Sequence, residues 1–185
     1  ALLDAMPAIV WKCLDPHCDV ITGNRAANEL TGVTENTNIS QTAAAQGKGV
    51  YIKQFKEDGT EYAVDELPIQ RAMATGQPVR DAQLDFCFAD GRRVQVMGSA
   101  VPLIDAEGKA RGAIAAFLDI TKLRTAEGAL RNNEALFSAI IEQAPGGVYV
   151  VDDQFRVRAV NAISRHIFAA AEPVLGREFT EVMSI

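Results

Sequence analysis

Apolar and polar residues alternate with a period of two along the middle of the chain. Leu84, Phe86 and Phe88 alternate with Asp85 and Cys87, the pattern of a strand with one buried face. The turn Asp90-Gly91 leads into a second such run, Arg93 to Val101. Asp105 to Gly108 leads into a third, Arg111 to Leu118. Three strands joined by short turns predict an antiparallel meander. Two earlier β-rich runs, Ile9 to Leu14 and Val20 to Thr22, bring the expected sheet to five strands. Helical stretches intervene. Asn24 to Leu30 runs up to the stop signal Gly32, Ile39 to Gln46 is short and alanine-rich, and Glu66 to Ala74 lies between a capping Asp65 and a terminating Gly76. Tyr51 to Phe55 and Glu61 to Ala63 flank Glu57-Asp58-Gly59, a hairpin signal. The pattern predicts an α+β domain built on one antiparallel sheet.

The opening of the chain recurs downstream. Met6-Pro7-Ala8-Ile9-Val10-Trp11 is echoed by Ala144-Pro145-Gly146-Gly147-Val148-Tyr149. Each run meets an acidic turn, Asp15-Pro16 or Asp152-Asp153. A short second strand follows, and then an asparagine, Asn24 or Asn161, placed to cap a helix. The second copy is much shorter than the first. A fragment of that size struggles to bury a core, so it reads as a truncated unit, unfinished or completed by a partner. The expected organisation is a domain over 1–121, a linker helix over 122–143, and the start of a second unit over 144–185.

Within the linker, Leu123, Leu130 and Phe137 are spaced by seven, and Ala126, Asn133 and Ile140 each follow one of them by three. These are a and d positions of a heptad seam. A polar residue such as Asn133 on the seam sets register at a cost in stability. The seam predicts a dimerisation helix and a homodimer. The competing reading is one amphipathic helix packed on its own domain.

Composition narrows the function. Apolar residues make up 48% and charged residues 23% of 185 residues, an ordinary globular balance. The net charge of −6 disfavours a phosphate backbone as partner. The longest purely apolar run, Ala113 to Leu118, is far below the ~20 residues of a membrane span, so a cytoplasmic segment without membrane contact is expected. Cys13, Cys18 and Cys87 form no disulfide framework. Cys13, His17 and Cys18 lie close together but lack zinc spacing, and no second ligand pair follows; no metal site is predicted. Gly47-Lys48-Gly49 is too short for a phosphate loop, and no serine stands in a nucleophile elbow. The acidic residues occupy cap and turn positions. Asp85 alone lies within an apolar strand, and its alternation points outward. No catalytic centre is predicted. Ile69, Met73, Phe86 and Phe88 could line a ligand pocket or be plain core. The small residues Gly98, Ala100, Gly112, Ala113, Ala115 and Ala116 leave space beside the sheet for a ligand or a closely packed helix.

These residues converge on a family. Ile21-Thr22-Gly23-Asn24-Arg25-Ala26-Ala27-Asn28-Glu29-Leu30, Glu66 to Ala72, Asp90-Gly91-Arg92, Ala100 to Leu103 and Gly112 to Thr121 together resemble PAS (Per-Arnt-Sim) domains of bacterial sensor proteins. Asp119-Ile120-Thr121 before a charged helix is the most specific element. Glu134-Ala135-Leu136-Phe137 ahead of Ala144-Pro145 resembles the approach to a further PAS unit. The resemblance implies the PAS fold, a five-stranded antiparallel sheet with helices on one face. It implies a sensory module coupled to an effector domain of the same parent chain, commonly a histidine kinase of a two-component system or a diguanylate cyclase. It also implies a relay junction at Asp119 and Thr121. The chain lacks the Gly-Arg-Asn-Cys-Arg-Phe-Leu-Gln run of flavin-binding members and carries no histidine in Glu66 to Ala74, unlike haem-binding members. Neither flavin nor haem is supported, and the cofactor or small-molecule ligand is left open.

Overall fold

The computed structural model describes residues 3–48, 50–169 and 173–184; Gly49 of the short glycine-lysine-glycine run therefore lies outside the described residues. The chain divides into two compact units, Ala1–Arg124 and Thr125–Ile185.

In the first unit, strands β1 (Ile9–Cys13), β2 (Ile21–Gly23), β3 (Lys53–Phe55), β4 (Val79–Cys87), β5 (Arg93–Ile104) and β6 (Ala110–Asp119) form one antiparallel sheet in the order β2-β1-β6-β5-β4-β3. Helices α1 (Arg25–Thr31), α2 (Gln41–Ala45) and α3 (Pro68–Thr75) accompany it. The class is α+β, as the alternation predicts. The five expected strands are present, and the sheet gains a sixth, the three-residue edge strand β3. The hairpin signal explains that difference. Its turn does close, with Lys56 N–H donating to Thr60 O at 2.7 Å. Its return arm, however, makes only a single bridge, Glu61 to Phe55. The outgoing arm pairs instead with β4, Gln54 opposite Phe86, because the long β4 offers a full ladder of backbone groups that would otherwise stay unpaired.

The expected start of the third helix at Glu66 moves two residues on. A 3-10 turn, Val64–Glu66, precedes it, and Pro68 takes the first helical position, where its missing N–H costs nothing. Asp65 is not the cap. The Glu66 carboxylate accepts from Ala63 N–H at 3.2 Å. α1 agrees with its caps: Asn24 Oδ1 accepts from Ala27 N–H at 3.0 Å, and Gly32 closes the helix with φ 70°.

Alternate residues of each strand face the helices. Ile9, Trp11 and Cys13 from β1, Leu84 and Phe86 from β4, Val94, Val96 and Ala100 from β5, and Ala113, Ala115 and Phe117 from β6 join Ala27, Ile69, Ala72 and Met73 in one buried cluster. The opposite face leaves Met97, Val101 and Leu118 exposed.

Helix α4 is continuous from Thr121 to Gln143. In the second unit, β7 (Tyr149–Val151) and β8 (Val157–Val160) form an antiparallel pair. Helices α5 (Ala162–Ile167) and α6 (Phe179–Met183) follow. A small cluster of Val157, Val160, Val174 and Val182 is buried there, with Phe168 and Phe179 against it.

Candidate functional site: a cleft on the sheet and the junction at its edge

The inner face of the sheet does not close completely. Between it, α3 and the segment around α2 lies a cleft of about 50 Å³. Trp11, Phe86 and Phe117 provide its aromatic wall. The Trp11 and Phe86 ring centroids lie 5.5 Å apart, and those of Trp11 and Phe117 lie 5.7 Å apart, both pairs tilted. Such pairs contribute about 0.5–1.5 kcal/mol each beyond area burial and hold the wall rigid. Ile21, Ile39, Ile52, Leu67, Ile69 and Leu84 supply aliphatic surface. Thr31, Gln41, Gln54 and Gln70 are the polar residues, and no ionisable side chain lines the space.

Gln41 has a structural task. Its Nε2 donates to Ile39 O at 3.1 Å and Val50 O at 3.0 Å, and its Oε1 accepts from Ile52 N–H at 3.1 Å. One buried amide thereby holds Ile39 and Ile52 against the cleft. Thr31 Oγ1 donates to Ala27 O at 2.8 Å. Trp11 Nε1 differs: it is buried and donates to nothing among the described residues.

Of the pocket residues expected from sequence, Ile69 and Phe86 line the cleft. Met73 and Phe88 stand outside its wall. Met73 is buried in the core cluster. Phe88 sits at the cluster's margin, its ring 6.3 Å from that of Phe86 and covered by the Arg92 guanidinium at 4.1 Å. Alternation placed Phe88 on the inner face but could not tell that β4 ends at Cys87. Trp11 was legible only as a residue of the first β-rich run; its unpaired donor is a tertiary fact.

At the end of β6 the chain turns into α4. Asp119 Oδ1 accepts from Thr121 N–H at 2.8 Å, an Asx turn that leads into the helix. The Thr121 hydroxyl acts across the sheet instead of within the helix: its oxygen accepts from Gln95 N–H at 2.9 Å, while Ile120 N–H donates to Gln95 O at 2.8 Å. Gln95 of β5 is thus clamped by Ile120 and Thr121 at the start of α4, a partner that no local pattern announces. One turn on, Arg124 donates to Gln83 Oε1 at 2.5 Å and Glu57 Oε1 at 3.1 Å. The helix start is therefore tied to β4, β5 and the turn after β3. Along α4 the seam residues Leu123, Leu130, Phe137 and Ile140 are 58%, 60%, 51% and 63% exposed, and Ala126 and Asn133 are exposed as well.

The remaining candidates have ordinary surroundings. Cys13 and Cys18 are buried, and the Cys13 thiol donates to Asp15 O at 3.0 Å. The Cys18 thiol is pushed up in pKa by the neighbouring Cys13 thiol and by burial. Burial works to raise the Asp15 pKa, but the N–H groups of Asp19, Val20 and His17, at 2.9–3.0 Å, outweigh it and hold the carboxyl below its usual range. Asp85 pairs with Arg93 at 2.6 Å.

A profile of the PAS domain family matches residues 7–122. The chain belongs to the PAS domain family. The matched stretch begins just before β1 and ends inside the first turn of α4, so it takes in the whole sheet, the cleft and the junction. No curated protein matches the chain. Among solved structures, the chain is similar to the Vibrio cholerae VqmA dimer, at 21% identity and a TM-score of 0.44, over 66% of this chain and 50% of that one. It is similar to the PAS domain of nitrogen regulation protein NR(II) from Vibrio parahaemolyticus, at 17% identity and a TM-score of 0.42, over 64% and 94%. A sensory box histidine kinase/response regulator from Burkholderia thailandensis is similar at 13% identity and a TM-score of 0.46, over 70% and 89%. This PAS chain spans about half the length of the first of these structures. No helix among its described residues is long and apolar enough to cross a membrane.

Proposed function

We propose that this PAS chain is a non-enzymatic sensory and dimerisation module of a cytoplasmic bacterial signalling protein. In this reading the first unit responds to a small molecule in its cleft. The response passes through the Asp119–Thr121 junction into α4, and α4 pairs with its counterpart in a second copy to drive an effector domain such as a histidine kinase. The acidic net charge argues against nucleic acid as a direct partner of this segment. Residues 144–185 are the beginning of a second PAS unit, a reading supported by the hydrogen-bond pattern around Asn161.

The observation that carries the proposal is the exposure of the α4 seam. Four large apolar side chains at heptad spacing stand more than half exposed, an arrangement that costs free energy unless a second helix covers it. A mechanical route to the seam is also at hand. β6 carries Phe117 in the cleft wall and Asp119 at the junction. β4 carries Leu84 in the cleft wall and Gln83 against Arg124. A ligand that shifts either strand changes how the helix start is held, and a two-stranded coil transmits a rotation or register change along its length.

Sedimentation velocity tests the proposal. The wild-type chain should sediment as a dimer at micromolar concentration, and Leu130→Glu as a folded monomer. A dimer that persists unchanged in Leu130→Glu would place assembly elsewhere and sink the seam reading.

A further inference from the structure

The outer face of the sheet carries a second hollow, on the side away from the cleft. Side chains alternate across a strand, so Gln83 and Asp85 of β4 and Arg93 of β5 point away from the face of the buried Leu84, Phe86 and Val94. With the turn after β3 and the start of α4 they border a groove of about 340 Å³. We infer that this groove binds a small anion whose carboxylate takes the place of Glu57 on Arg124. The inference stands apart from the reading of the inner cleft.

Three observations carry it. The first is charge. The chain has a net charge of −6, yet Lys56, Arg93 and Arg124 line the groove against only Glu57 and Asp85. Asp85 is matched by Arg93 at 2.6 Å, and Lys56 reaches past the lining to Glu66 at 2.9 Å. With Glu57 swung out, three cations of the lining face one carboxylate.

The second is that Glu57 is itself a tethered carboxylate. Its Oε1 accepts from Arg124 at 3.1 Å, while its side chain is 69% exposed. Exposed ion pairs hold weakly, so this carboxylate exchanges for a free one at little cost. The backbone of the turn stays closed as it does so. Lys56 N–H donates to Thr60 O at 2.7 Å, and Asp58 Oδ1 accepts from Thr60 N–H at 2.9 Å.

The third is the receiving group. Arg124 is the more sheltered partner, 32% exposed, and Gln83 Oε1 orients it at 2.5 Å. A guanidinium held in place offers a planar fork of donors that matches a carboxylate. The groove's volume lies at the lower end of ligand sites, which suits a small organic acid. Its binding frees the start of α4 from the turn after β3 and leaves the hold on Gln83 and Gln95 intact.

Malonate titrated into the full chain tests this, with sodium chloride at matched ionic strength as reference. Nitrogen–proton correlation spectra follow the Arg124 Nε–H and the amides of Glu57 and Gly59. Malonate should shift these signals saturably, and sodium chloride should not. Glu57→Gln removes the competing carboxylate and should tighten malonate about two- to fivefold, the worth of an exposed ion pair. Glu61→Gln removes the same charge outside the lining and should not tighten it. Arg124→Gln should abolish binding. The results for wild type and Glu57→Gln stand even if that variant folds poorly. Equal tightening in Glu57→Gln and Glu61→Gln would mean a diffuse surface field and overturn the site, as would malonate shifts no larger than those of sodium chloride. Tighter binding of inorganic phosphate than of malonate would overturn the assignment to carboxylates.

Discussion

The two units of this chain use the same small device in different settings. In the first, Asn24 Oδ1 accepts from Val10 and Ala27 N–H at 3.1 and 3.0 Å, and its Nδ2 donates to Leu3 O and Ala8 O at 2.8 and 2.9 Å. In the second, Asn161 Oδ1 accepts from Val148 and Ser164 N–H, both at 3.0 Å, and its Nδ2 donates to Gly146 O at 2.7 Å. Even the next residue is matched: Asp4 accepts from Arg25 N–H, and Glu142 from Ala162 N–H. A single buried amide closes strand, turn, strand and helix start in both places. What surrounds it differs. The aromatic residue at the matching place of the repeat is Trp11, 5% exposed, in one unit and Tyr149, 45% exposed, in the other. The comparison teaches that the device is local, whereas burial comes from the rest of the sheet. Only the first unit has β4, β5 and β6 to provide it.

The largest effect should come from striking the long-range part of the first unit. At Gly98 of β5, a Cβ would fall 2.0 Å from Ala116 O and 2.7 Å from Phe117 Cα, backbone atoms of the paired strand that have nowhere to go. Gly98→Ala should cost about 3 kcal/mol or more, read as earlier loss of Trp11 fluorescence in urea. At Gly147 the nearest atoms are the tips of Ser164 and Ile167 at 3.0 and 3.2 Å, which can swing aside. Gly147→Ala should change stability by less than about 1 kcal/mol. Equal effects at the two glycines would erase the contrast drawn between the units.

The asparagines sharpen it. Asn24→Ala strands two buried N–H groups and should destabilise the first unit by about 2–3 kcal/mol, with a melting temperature lower by roughly 10 °C. Asn161→Ala should cost about 1–2 kcal/mol, and hydrogen exchange should show the opening confined to Val148, Ser164 and their neighbours. Faster exchange at Val10 in Asn161→Ala would mean that the units open together.

The smallest effect is electrostatic and common to both. Asp15 and Asp152 each accept backbone N–H groups across their turns, and both carboxyls are held below the usual range. A carboxyl with a folded pKa below its unfolded one stabilises the fold above the unfolded value of about 3.9. That contribution fades as pH falls through the folded value. Asp15→Ala should therefore narrow the gap to wild type on acidification, with the gap a fraction of a kcal/mol because the carboxylate stands mostly in solvent. A gap that widens in acid would reverse the assignment.

Much of this was legible in the chain, and the reasons are physical. Period-two alternation marks β4, β5 and β6, since one face of each is buried and a strand's side chains change side at every residue. Asn24 and Asn161 were readable because capping is short-range chemistry. The heptad was readable because helix geometry maps sequence spacing onto a face. The site was less so. Ile69 and Phe86 line the cleft, whereas Met73 and Phe88 do not: alternation assigns Phe88 a face of the sheet and helical spacing assigns Met73 a face of α3, but neither gives a position along the cleft.

Sequence by itself therefore determined five of the sheet's strands, the asparagine caps Asn24 and Asn161 and the spacing of Leu123, Leu130 and Phe137, all set by interactions over a few residues. Tertiary structure alone decided that β3 pairs with β4, that Thr121 and Arg124 hold Gln95, Gln83 and Glu57, and that Trp11 faces its surroundings with an unspent donor. Each of these depends on which distant segments the fold brings together, and local pattern does not encode that.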